Sequence, residues 1–201
     1  MSRRNSIVAT AALVFVAAVA CAKAPQEDIS AAQSDLDKAR EAQAETWAPN
    51  EYQAADSTWK AANDEIQAQN AKWIKNYDKA KELLTKAKEE ASKAAQAAAA
   101  NKEQARTDSE AAIAAADTAL AAAEAGLKVA PVTKDSRADL ALFKSDIENL
   151  RGTLEQARQA FSSEDFKKAL ESANSVKDKA TSIADQLEQA KQKRAGQARK
   201  K

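Results

Sequence analysis

The large apolar residues of this chain are few, and they recur at alternating steps of three and four. From Leu140 the positions run Leu140, Phe143, Ile147, Leu150, Leu154, Ala157 and Phe161. A second series is Ala169, Ala173, Val176, Ala180, Ile183, Leu187 and Ala190, and a third is Tyr52, Ala55, Trp59, Ala62, Ile66, Gln69 and Trp73. Such spacing puts each series on one stripe of an α-helix that another helix must cover. No segment alternates apolar and polar residues as a half-buried strand does. The pattern predicts an all-α, elongated helical bundle or coiled coil.

Boundaries follow from local chemistry. Pro49 suits the first turn of a helix, where a missing N–H costs nothing. Asn76 is placed to cap the next helix, and Ser162, three before Asp165, gives the outline of a capping box. Gly126 ends the alanine-rich run, and "LKVAPVTKD" around Pro131 is the clearest loop. Five helices are expected, near 28–47, 49–74, 77–126, 135–161 and 164–193. The third would be ~75 Å long.

A repeat runs through this order. Ile29, Ala32, Leu36 and Ala39 match Ile113, Ala116, Leu120 and Ala123 at an offset of 84, and "AP" recurs at 48–49 and 130–131. "NYDKAKELLTKA" (76–87) matches "EDFKKALESANS" (164–175) in pattern. The expectation is two three-helix units, 28–98 and 99–193, sharing the long central helix.

Composition agrees with the helical reading. Alanine supplies 52 of 201 residues, with three glycines and three prolines, so the best helix former dominates and the worst are scarce. Residues 91–125 hold 18 alanines. Seams of methyl groups bury little area at ~25 cal/mol per Å², so this stretch relies on helix propensity and close backbone approach. It reads as a stiff strut, a hinge or a face open to another chain.

The N-terminus changes the picture more. Arg3 and Arg4 precede an apolar stretch from Ile7 to Ala20, interrupted only by Thr10, and Cys21, the single cysteine, follows. Fourteen residues at ~1.5 Å rise cover ~21 Å, short of a ~30 Å hydrocarbon core. Residues 1–20 therefore read as an export signal. Ala18-Val19-Ala20-Cys21 resembles the lipobox of bacterial lipoproteins. That resemblance implies cleavage between Ala20 and Cys21 and acylation of Cys21, with 21–27 as a lipidated tether to the membrane. Several acyl chains hold a protein firmly where one holds it marginally. Ala22 is not aspartate, so the resemblance further implies an outer-membrane anchor facing the periplasm.

Without residues 1–20 the chain is near neutral, but its charge is uneven. Residues 191–201 carry six positive charges and no negative one: Lys191, Lys193, Arg194, Arg199, Lys200 and Lys201. Residues 22–190 carry a net −7. The basic tail, 194–201 with the last turn before it, has three readings: a solvated end, a contact for anionic envelope polymers or head groups, or a covalent link through Lys201. The last rests on a resemblance to the murein lipoprotein, whose final lysine is joined to peptidoglycan. Nucleic acid is not an expected partner for an acidic, exported body.

The segment 35–94 resembles an alanine-rich helical domain of bacterial envelope lipoproteins that is described only as a domain of unknown function. Leu36, Ala39, Ala48, Pro49, Tyr52, Ala55, Trp59, Tyr77, Ala80, Leu84 and Ala87 carry the likeness. It implies a fold and says little about activity.

Catalytic chemistry is sparse. The chain has no histidine, which removes histidine general bases, histidine-paired nucleophiles and nearly every zinc site. Three scattered glycines make no phosphate loop. Asp64/Glu65 and Glu89/Glu90 are adjacent on helices and so point apart. No enzyme, metal or cofactor is expected. Tyr52, Trp59 and Trp73, seven apart, read as core filling between alanine-rich helices, and Trp47 as the least constrained tryptophan. The expected function is a structural or adaptor role, presenting helix faces to peptidoglycan, an envelope protein or a second copy. The alternatives are an amphipathic lipid-surface or stress-protective protein, and a binder of small hydrophobic ligands through the tryptophans.

Overall fold

In the computed structural model, residues 23–133 and 136–198 are described. They form six helices with no strand among them: α1 (Gln26–Glu41), α2 (Ala44–Trp47), α3 (Pro49–Asn70), α4 (Asp78–Val129), α5 (Arg137–Ser162) and α6 (Phe166–Ala198). α4, at 52 residues, is ~78 Å long and is the shared element. Its N-terminal half packs with α1 and α3, and its C-terminal half with α5 and α6. The expectation of two three-helix units on one central helix is met.

The repeat is visible in burial. Ala32, Leu36 and Ala39 of α1 and their counterparts Ala116, Leu120 and Ala123 in α4 are all buried. In α4, Ala80, Leu84, Ala87, Ala91, Ala94 and Ala98 are buried, and a constant step of 89 residues leads to Ala169, Ala173, Val176, Ala180, Ile183 and Leu187 of α6, buried likewise. The helix parallel to α4 in the first unit is α1, and in the second it is α6.

Helix ends depart from the expected boundaries for identifiable reasons. The first predicted helix breaks at Gln43, whose φ of 58° is left-handed, and α2 restarts the turn. α3 stops at Asn70, not 74, so Trp73 never joins the seam. α4 runs through Gly126 to Val129. A methyl group at Gly126 would lie 3.3 Å from Leu187 Cδ1, so this glycine admits Leu187 rather than ending the helix. α5 closes with the carbonyl of Ala160 accepting the N–H of Asp165 and that of Phe161 accepting the N–H of Glu164, at φ 61°. This is the Schellman arrangement, with glutamate where glycine is usual. Ser162 lies in the last turn of α5 and bonds back to the Arg158 carbonyl. Asp165, not Ser162, meets the start of α6, accepting the N–H of Lys168 at 3.3 Å. Asn76 is not the cap it was expected to be: Tyr77 holds the N-cap position without a side-chain bond, and Asn76 lies one residue before it, its side chain accepting the N–H of Asp78 at 2.8 Å.

Candidate functional site

Three places on this scaffold hold chemistry: the two ends of α4 and its middle. In the middle, Trp47 is buried where sequence reasoning left it unconstrained. Its ring lies 6.3 Å from that of Phe166, which in turn lies 5.4 Å from Phe161. Asn101 Nδ2 donates to the Trp47 carbonyl at 2.7 Å, and Lys167 Nζ sits 4.9 Å from the indole centre while donating to the Thr46 carbonyl. The Lys102–Glu164 pair, 2.6 Å apart, crosses the same joint and draws the Glu164 carboxyl below its usual range. The two left-handed residues among those described, Gln43 and Glu164, flank this cluster. It joins the two units and presents only a shallow cleft.

At the C-terminal end of α4, the loop after Val129 is organised by Ser136. Its hydroxyl donates to the Pro131 carbonyl at 2.9 Å and accepts the N–H of Thr133 at 2.8 Å. Against this loop, Pro131, Ser136, Asp139, Leu140, Phe143 and Leu187 meet Lys193 and Arg194 around an open cleft of about 430 Å³. Lys191 is exposed and pairs with Glu188 at 3.3 Å. The first residues of the predicted basic tail therefore continue α6, which extends to Ala198. Ala190, expected in the seam, is exposed. Arg199, Lys200 and Lys201 lie outside the described residues.

At the N-terminal end of α4, Lys23 lines one cleft with Ile74, Lys75, Tyr77 and Lys81. Trp73 is fully exposed here, so its assignment to the core was wrong: the last stripe position falls beyond the end of α3. The signal stretch 1–20, with Ala20 and Cys21, lies outside the described residues.

Among the described residues the tryptophans and tyrosines are spread along the molecule. Tyr52 and Trp59 are half-buried between helices, Trp47 is at the middle and Trp73 is at one tip. Tyr52 is pushed up in pKa, first by burial, and its hydroxyl accepts a 2.6 Å hydrogen bond from Arg40 Nε. Glu65 is held below the usual carboxylate range by Gln69 Nε2 first and then by Lys79. A carboxylate stabilised in its charged form is a brace and a poor proton donor. Among the described residues no group of three or more Cys, Asp or Glu is placed to hold a metal ion, and no helix is long and apolar enough to cross a membrane.

Two of these features escaped the sequence reading. The aromatic joint pairs residues 119 positions apart, Trp47 with Phe166, and no periodicity within one helix signals that. The Trp73 tip had a visible signal in Lys72 and Lys75, since cations on both sides of a Trp-Ile pair fit a solvent-facing turn. No family model matches this chain, and no curated protein or solved structure is found to be similar to it.

Proposed function

We propose that the chain is a lipid-anchored protein of the bacterial cell envelope with a structural or adaptor role. Cys21 would carry the lipid, and the helical body would present faces to peptidoglycan or to another envelope protein. The observation that carries this reading is the separation of the molecule's two ends along α4. Lys23, two residues past Cys21, lies beside the start of α4, while Lys193 and Arg194 lie beside its end, ~78 Å away. An anchor at one end and cations at the other suit a spacer between a membrane and an anionic polymer. α6 runs parallel to α4, so Lys191, Lys193 and Arg194 lie toward the end opposite Lys23.

The test is the intact mass of the protein extracted from membranes of its own host, with Cys21→Ser as control. A mass of residues 21–201 plus acyl groups, absent in the control, is expected. A mass starting at Met1, or at an unmodified Cys21, contradicts the reading.

A further inference from the structure

The turn between α3 and α4 holds its two largest apolar side chains away from the bundle. Trp73 is 100% exposed and Ile74 78% exposed. Single exposed apolar residues are ordinary, but an adjacent Trp-Ile pair on a braced tip is not. The bracing comes from both sides. Gln69 Oε1 accepts the N–H of Asn76 at 3.2 Å while Gln69 Nε2 donates to Glu65. The Tyr77 hydroxyl donates to Asn70 Oδ1, and the N–H of Lys72 donates to the Gln69 carbonyl. Beneath the tip, Tyr77, Ala80, Leu84, Ile66 and Ala62 close the core without either residue.

Lysine is concentrated in the turn itself, while Glu27, Asp28, Asp64, Glu65 and Glu82 stand on the helices that meet there. Residues 71–81 carry Lys72, Lys75, Lys79 and Lys81 against Asp78 alone. Lys79 is engaged with Glu65 at 3.3 Å, and Lys23 adds a further cation beside Ile74 and Lys75. Glu27 and Asp28 start α1 near this end and complement its dipole.

We propose that the Trp73–Ile74 tip inserts into the interfacial region of an anionic lipid bilayer, with Lys23, Lys72, Lys75 and Lys81 on the head groups. An indole has an apolar body and a polar N–H, the combination that settles at the membrane–water interface. Lysines beside an anionic surface add an attraction that salt screens. The inference rests on the lipoprotein reading for the nearness of a bilayer, and it adds orientation. A lipid alone leaves the body free to swivel, whereas a second contact at the same end makes α4 point away from the membrane.

The test uses the chain from Lys23 to Lys201. Among the described residues every buried one lies between Pro25 and Leu187, so it retains that core without leader or lipid. Tryptophan emission is recorded with phosphatidylcholine vesicles and with vesicles containing phosphatidylglycerol, with and without acyl-chain-brominated lipid. Phosphatidylglycerol vesicles are expected to shift emission to the blue and brominated lipid to quench it. Trp73→Ser should abolish the quenching and weaken partitioning about tenfold, and Lys72→Glu/Lys75→Glu should weaken it about tenfold or more. Both variants should melt as the parent does, because these side chains are exposed. Emission that ignores vesicles, or quenching that survives Trp73→Ser, would overturn the proposal. So would a blue shift that follows protein concentration without lipid, which would assign the tip to a second copy. The mass of the native protein decides the anchor separately, so failure of one reading is not failure of the other.

Discussion

The two units share a plan but fill it differently. The second has one continuous core, in which Ile147, Leu150, Leu154, Val176, Ile183 and Leu187 meet Leu120 of α4. The first has its buried residues in three smaller clusters, and alanine stands at most of them. At matched positions Ala87, Ala94 and Ala98 face the first core where Val176, Ile183 and Leu187 face the second. The first unit compensates with rings: Trp47, Trp59, Tyr52 and Tyr77 lie over its small residues. One α-helical plan thus tolerates two solutions, a core rich in branched side chains and a core of methyl groups overlaid by rings. Large apolar burial stabilises the second directly, while the first depends on fit.

The largest predicted effect strikes the joint between the units. Trp47→Ala removes a buried ring that touches Phe166 and should cost about 3–5 kcal/mol. Denaturant unfolding should then separate into two transitions, since the main apolar contact between the halves is gone while polar bonds such as Lys167 to the Thr46 carbonyl remain. Next is Leu187→Ala, expected to cost about 2–5 kcal/mol and to leave a cavity over Gly126. Its damage should appear in α5 and α6 by hydrogen exchange while α1 and α3 stay protected. The mirror change, Ala94→Ile, gives the first unit the residue the second carries at Ile183. Because Ala94 is fully buried against the Trp47 cluster, overpacking should cost about 1–3 kcal/mol. Equal tolerance of isoleucine at both positions would erase the distinction between the two cores.

The smallest effect is electrostatic. The Glu164 carboxyl is lowered by Lys102, so its folded-state pKa lies below the unfolded one. Its contribution is full above the unfolded carboxylate range, near ~4.3, and is lost as pH falls through the lower folded value. Glu164 is exposed and Lys102 only half-buried, which keeps the effect small and sensitive to salt. Thermal melts in acid should show Lys102→Met converging on the parent as pH drops.

Much of this was legible beforehand, because the seams are local. Every position from Ile147 to Ala157 in one seam and from Ala169 to Leu187 in the other is buried, as a three-four spacing requires. The offset of 84 proved to relate equivalent buried faces. Illegible were features set by partners distant in the chain. Trp47 is fixed by Phe166 and Asn101, and α3 ends early because Gln69 and Tyr77 tie the following turn. Glu164 adopts a left-handed conformation that propensity assigns to glycine. As for candidate chemistry, Lys191 and Lys193 stand on the last helix as expected, and Arg194 stands there too rather than on a separate tail, because the alanine- and lysine-rich sequence favours helix to Ala198.

Native-state hydrogen exchange along α4, read residue by residue, tests the two-unit account most directly. The account predicts that protection divides within this single helix. Amides from Ala112 to Ala123 should open with the large second core, and those from Ala80 to Ala98 at a lower free energy with the first, with the change near Asn101. A single opening free energy from Ala80 to Ala123 would contradict it, and α4 would then be one cooperative body rather than a helix shared by two.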